Sequence, residues 1–190
     1  MYEIRLHGRG GQGTVLAATI LATALVEEGQ HVVAVPSFGF ERRGAPVAAY
    51  LRADSREIRR MTNIYHPDCI ICIDPTVSRT VNIFEGMRDN GTLVQTSGEP
   101  LTTLALPPTV ATVGLCDAVP IALEIFKRAI TNTVMLGAFA RTTKLVSVEA
   151  LERALHGSEF RDAGLEQNIR ALHRGYDETV VHVLSTRVAA

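Results

Sequence analysis

The residues best suited to chemistry lie near the start of the chain, in His7-Gly8-Arg9-Gly10-Gly11-Gln12-Gly13-Thr14. Glycines at such a spacing permit a tight turn, and at the start of a helix they leave backbone N–H groups where an anion is favoured. Arg9 and Gln12 add polar side chains, which makes Gly8, Arg9, Gly10, Gly11, Gln12 and Gly13 the candidate ligand or contact surface. The spacing of Gly8, Gly10 and Gly13 also satisfies the dinucleotide pattern, which raises NAD or FAD as ligands of a free-standing enzyme or regulatory module. That pattern expects an acid about 20 residues further on, at the end of the second strand. Here the strand end reads Val35-Pro36-Ser37, and Glu27 and Glu28 fall at the end of the intervening helix. No Gly-Lys-Ser/Thr follows Gly13, so the phosphate loop of nucleotide hydrolases is absent too. The glycines could equally serve packing alone, by letting a helix approach the sheet.

A second polar stretch, Ser37-Phe38-Gly39-Phe40-Glu41-Arg42-Arg43-Gly44-Ala45-Pro46, combines aromatic, acidic and paired basic residues on one loop. Loops at the carboxyl ends of strands line the ligand crevice of doubly wound sheets, so this loop and the glycine turn could share one edge. Arginine forms planar, bidentate contacts with carboxylates and phosphates. Phe38, Glu41, Arg42 and Arg43 are therefore read as an interface with another subunit, with a phosphate contact and a solvated loop as the alternatives. His7 could line the crevice or be a partly buried structural residue, and the histidines at 31, 66, 156, 173 and 182 form no cluster with metal-ligand spacing. Cys69 and Cys72 lie three apart in an apolar strand, where they point to opposite faces, which suits packing better than redox pairing. No residue stands out as catalytic.

These residues need a scaffold. The pattern predicts a strand over 4–7, a helix over 14–26 and a strand over 31–35, which together form a βαβ unit. Further strands are expected over 47–52, 69–73, 92–95 and, as the last one, 113–116, with 100–112 irregular or an edge strand. Helical spacing follows over 118–127, 132–142, 148–156 and 165–184. Asn168, Ala171, Leu172 and Gly175 share one face of the last helix and suit close packing against another helix or subunit. Asn132 and Asn168 are read as caps or loop anchors. The expected fold is α/β: one three-layer α/β/α domain over 1–190, with a mostly parallel or mixed sheet and a helical C-terminal third.

Composition narrows the partners. With 190 residues and 46% hydrophobic content the chain can bury one sizeable core. Nineteen basic against twenty acidic residues give a net charge of −1, which offers no field for nucleic acid or an anionic membrane. Met1-Tyr2-Glu3-Ile4-Arg5-Leu6 alternates polar and apolar residues and does not read as a signal peptide, and no apolar run is long enough to span a bilayer. A soluble, cytoplasmic protein with reduced thiols is expected.

The two motifs, in this order, resemble the gamma subunits of the pyruvate and ketoisovalerate ferredoxin oxidoreductases, which carry His-Gly-Arg-Gly-Gly-Gln-Gly and then Phe-Gly-x-Glu-Arg-Arg-Gly-Ala-Pro-Val. The resemblance continues through Ile64-Tyr65-His66-Pro67-Asp68, Asp74-Pro75-Thr76, Asn132-Thr133-Val134-Met135-Leu136-Gly137-Ala138 and the segment from Asn168 to Tyr176, and so covers most of the chain. The Glu-Arg-Arg-Gly-Ala-Pro loop is more similar to the pyruvate-type branch than to the indolepyruvate branch, and a phenylglyoxylate-type complex fits as well. The resemblance implies a complex that oxidatively decarboxylates a 2-oxoacid with coenzyme A and passes electrons to ferredoxin or another acceptor. It implies thiamine diphosphate, Mg2+ and cubane iron–sulfur clusters (4Fe-4S), carried largely by companion subunits of alpha, beta and delta type. This chain would assist assembly and help enclose coenzyme A. With three cysteines it cannot supply the four ligands of a cubane alone. On the interface reading, replacing Arg42 and Arg43 together by Ala weakens subunit assembly or raises the coenzyme A requirement, while the thermal midpoint of the isolated chain is unchanged. Unaltered assembly and kinetics would refute it.

Overall fold

The computed structural model describes residues 1–37, 44–158 and 164–184. Seven strands run in chain order as β1 (Tyr2–Arg9), β2 (His31–Ser37), β3 (Pro46–Asp54), β4 (Cys69–Cys72), β5 (Gly91–Thr96), β6 (Val110–Cys116) and β7 (Val180–Val183). Five helices accompany them: α1 (Thr14–Glu27), α2 (Ala118–Phe126), α3 (Asn132–Thr143), α4 (Val148–His156) and α5 (Leu165–Glu178). The sheet order is β2-β3-β1-β4-β5-β6-β7. β1, β4, β5 and β6 are parallel, while β3 on one side and β7 on the other run antiparallel to their neighbours. This is the mixed α/β sheet that the sequence predicts.

Two expectations change. α1 does lead from β1 to β2, but β3 lies between these strands and pairs with both. The end of β2 is therefore two strand spacings from β1, roughly 10 Å, and the neighbouring parallel strand of a dinucleotide-binding unit is not there. The stretch 165–184 is not one helix. α5 stops at Glu178, Thr179 is extended, and Val180–Val183 pairs antiparallel with β6, so 113–116 does not contain the last strand. Three valines in four residues favour a pleated, half-buried surface over a helix.

Alternation along the strands builds two different faces. Ile4, Leu6, Leu51, Cys69, Ile71 and Val94 join the helices in one large core that includes Leu21, Phe139, Leu151 and Leu172. Ile70, Cys72, Leu93, Val113 and Leu115 face the other way, against Val77, Ile83 and Met87 in irregular segments and 3-10 turns. Cys69 and Cys72 thus belong to separate cores on opposite faces, as their spacing requires. Beneath β1 and β3 this second face is polar and still buried. Arg52 donates to Glu3 at 2.8 Å, Arg88 reaches the other Glu3 oxygen at 2.8 Å, and Arg52 also holds the carbonyls of Thr62 and Asn63. Burial opposes ionisation of Glu3, but the hydrogen bonds from Arg88 and Arg52 outweigh it and hold the carboxyl below its ordinary range.

The glycine face of α5 packs within the chain. A Cβ on Gly175 would collide with the carbonyl of Val134 in α3, and a Cβ on Gly137 with the carbonyl of Leu172 in α5. The close-packing stripe of Asn168, Ala171, Leu172 and Gly175 therefore meets α3 and not another subunit, and Thr133 donates to Asn168 at 2.8 Å across the same seam. Backbone cannot yield as a flexible side chain can, so Gly175→Ala should lower stability by about 1–3 kcal/mol or more. Chemical denaturation checks this, and an unchanged midpoint would contradict the backbone contact.

Candidate functional site

The carboxyl ends of β1 and β4 and the N-termini of α1 and α3 meet at one edge of the sheet, and the glycine turn lies there. Gly11 and Gly13 have φ of 89° and 75°, a region that L side chains avoid, so the turn depends on glycine at both positions. Gly13 is also the residue before α1 and has no side chain to cap it. The turn is tied to the start of β3 by two backbone bonds, Gly10 N to Ala45 O at 2.8 Å and Gly44 N to Gly10 O at 3.1 Å.

Arg9 and Gln12 do not simply point outward. Gln12 accepts from the Arg9 amide at 2.8 Å and donates to Asp74 at 2.7 Å. Arg9 donates through Nε to the Thr76 hydroxyl at 2.8 Å, and its other nitrogens reach the carbonyls of Thr76 and Gly44. Asp74, which follows β4, caps the 3-10 turn Pro75–Arg79 by accepting from the Thr76 amide and hydroxyl. Burial works against its ionised form, but hydrogen bonds from Thr76 and Gln12 and the charge of Arg9 outweigh it, so the carboxyl stays below the usual range. One carboxylate thus fixes both polar side chains of the turn.

The N-terminus of α3 closes the edge. Thr131 donates to the Ile73 carbonyl at 3.2 Å, and Asn132 lies against Gly13, with its amide 3.5 Å from the Gly13 carbonyl. Asn132 and Asn168 thus anchor neighbouring backbone and side chains, in keeping with the structural roles read from the sequence. The Thr14 hydroxyl, at the first position of α1, is buried and makes no hydrogen bond among the described residues. It sits against Gly8, where any Cβ would collide with it. What the edge offers an anion is the uncapped start of α1 together with Arg9, whose side chain is 25% exposed.

The other sequence candidates fall elsewhere. Phe38, Glu41, Arg42 and Arg43 lie outside the described residues. His7 is buried on the opposite, polar face of the sheet, beside Arg5. Cys69, Cys72 and Cys116 are buried and unpaired. Burial raises all three thiols, Cys72 to about 12 and Cys116 to about 11, so they are thiols and not thiolates at neutral pH. With two of them on opposite faces of one strand, this donor set does not fit an iron–sulfur cluster.

Asp74, Thr76 and Thr131 are the residues whose roles the sequence did not reveal. The available signal was Asp74-Pro75, an N-cap acid before a proline at the first turn position. Asp74→Asn should cost about 1–3 kcal/mol by weakening charge-assisted bonds to buried groups. The depressed wild-type carboxyl stabilises the fold above roughly pH 4, and this contribution fades as pH falls through its lower native value. Denaturation series at pH 7 and pH 3 should therefore show wild type and D74N converging in acid, and a constant difference would contradict the role given to the carboxylate.

Comparison with known proteins agrees with this architecture. A family model described as pyruvate ferredoxin/flavodoxin oxidoreductase matches residues 3–178. The chain is 65% identical, over the full length of both chains, to the gamma subunit of NADH-dependent phenylglyoxylate dehydrogenase from Aromatoleum evansii. It is 44% identical to the common gamma subunit of the pyruvate/ketoisovalerate oxidoreductases from Thermococcus kodakarensis, covering 97% of this chain and 100% of that one. Among solved structures, the pyruvate oxidoreductase subunit PORC from Thermotoga maritima superposes with a TM-score of 0.80 at 35% identity, over 95% of this chain and 97% of that one. The chain therefore belongs to the pyruvate ferredoxin/flavodoxin oxidoreductase family, as a gamma-type subunit.

Proposed function

We propose that this chain is the gamma subunit of a complex that oxidatively decarboxylates an aryl 2-oxoacid with coenzyme A. The observation that carries the choice of substrate is the end-to-end identity of 65% with the phenylglyoxylate-type relative, against 44% with the pyruvate/ketoisovalerate type. The overall conversion takes a 2-oxoacid and coenzyme A to an acyl-coenzyme A and carbon dioxide, and it releases two electrons and a proton. Thiamine diphosphate with Mg2+ supplies the carbanion stabilisation that such a decarboxylation needs, and iron–sulfur clusters carry the electrons to ferredoxin or another acceptor. Companion subunits of alpha, beta and delta type hold these groups. The buried, protonated thiols of this chain do not suit a cluster.

The contribution of this chain is positional. The edge formed by Gly8, Arg9, Gly10, Gly11, Gln12 and Gly13 is rigid because Asp74 and the carbonyls of Thr76 and Gly44 hold its side chains. The uncapped α1 N-terminus beside Arg9 suits a phosphate of coenzyme A, which would lie against this edge while its thiol reaches the companion active site. Phe38, Glu41, Arg42 and Arg43 would pack against the companion subunits. The dinucleotide alternative is less well supported, since the second parallel strand with its acid is displaced by β3. No helix among the described residues is long and apolar enough to cross a membrane.

An affinity tag on this chain should co-purify larger thiamine-binding and cluster-binding chains. The chain alone, with thiamine diphosphate and a dye acceptor, should show no 2-oxoacid oxidation. Turnover by the isolated chain, or its saturable binding of NAD or FAD, would overturn the assignment.

A further inference from the structure

A cavity of about 520 Å³ opens on the polar face of the sheet, with Arg5 and His7 of β1 and Val47 and Tyr50 of β3 among its lining residues, and it borders the glycine turn, since Val47 pairs with Gly8. Its volume is that of a small-molecule pocket, roughly 300–1,000 Å³. Arg5 is buried, with 8% exposure, and all its hydrogen-bond partners are neutral. Its Nε donates to His7 Nε2 at 3.0 Å, and one terminal nitrogen donates to the carbonyls of Ile83 and Glu85 at 2.5 and 2.9 Å. The other terminal nitrogen, Nη1, has only a 3.5 Å contact with the Ile64 carbonyl. Arg9, Arg52 and Arg88 each lie within ion-pair distance of a carboxylate, whereas Arg5 has none among the described residues. Glu85 lines the same cavity and its charge favours the Arg5 cation, but it does not come within ion-pair distance.

A buried cation that Glu85 favours only from beyond ion-pair distance is incompletely compensated, and burial lowers its pKa accordingly. His7 adds no opposing charge. Burial, and then the charge of Arg5, push its pKa down to about 3, and because Nε2 accepts from Arg5 the ring proton is on Nδ1. Around this cationic floor one side of the wall is apolar, while His66, Asn82 and Glu85 contribute polar groups. Val47, Ala48 and Ile64 line the cavity, and Tyr65 and Val81, 69% and 37% exposed, stand beside it as large apolar groups open to solvent. We propose that this cavity binds a small organic carboxylate, its head group against Arg5 and its apolar body between Val47, Tyr65 and Val81.

Carboxylate binding here does not depend on the gamma-subunit reading, because it is argued from Arg5 and the cavity lining alone. Replacing Arg5 would release three backbone carbonyls and could unfold the segment, so the test uses the partly exposed Val81 instead. Benzoate and its neutral analogue benzamide would be titrated into the full chain and into Val81→Glu, with thermal midpoints recorded for both proteins. The expected result is saturable benzoate binding by wild type, at least tenfold weaker binding by V81E at an unchanged midpoint, and no comparable binding of benzamide. Absence of saturable benzoate binding, or equal affinity of wild type and V81E, would overturn the proposal. So would loss of the difference once companion subunits are bound, which would assign the cavity to an acidic side chain of a partner.

Discussion

The candidate edge depends on one carboxylate. Asp74 sits where β4 ends, accepts from Gln12 and Thr76, and has Arg9 at 3.6 Å. Through these contacts a loop that follows β1 and a loop that follows β4 become one rigid unit, although 62 residues separate Gln12 from Asp74. Without it, a turn containing four glycines would have to give up much conformational freedom on binding any ligand. The ionised form survives partial burial because charged and neutral donors surround it. The polar side chains Arg9 and Gln12 hold the backbone in place, which leaves the turn's N–H groups as the contacts proposed for a ligand.

Burial likewise governs the three thiols. Its thiols lie in two cores on opposite faces of the sheet and are kept protonated by burial. A strand two residues out of phase would have brought Cys69 and Cys72 no closer, since odd separations always place strand side chains on opposite faces. Membership in an oxidoreductase family and buried thiols that do not suit a cluster are therefore compatible, since the clusters of such a complex would be held by other subunits, as proposed above.

Much of the scaffold was legible in the sequence because its signals are local. Fully apolar Cys69-Ile70-Ile71-Cys72 is a buried parallel strand, and the helical spacing after residue 117 gives α2, α3 and α4 at nearly the expected limits. What failed was non-local. Val180 to Leu184 continues the apolar spacing of α5, and only pairing with β6, more than 60 residues earlier in the chain, makes it a strand. The stripe through Gly175 was recognised as a close contact, but the sequence could not say that its partner was α3. Glu3, Arg5 and His7 alternate with Ile4 and Leu6 as if half of β1 faced water, yet irregular segments around residues 60–66 and 81–88 bury them. Those segments carry no periodicity from which a covering role could be read.

Whether the proposed complex containing this chain acts on an aryl 2-oxoacid is decided by its substrate preference. The complex purified through this chain would be supplied with coenzyme A and either phenylglyoxylate or pyruvate, and kcat/KM compared. A value for phenylglyoxylate higher by about tenfold or more is expected, within reach of an apolar pocket that selects by size and shape. A preference for pyruvate, or no coenzyme A-dependent oxidation of either acid, would contradict it.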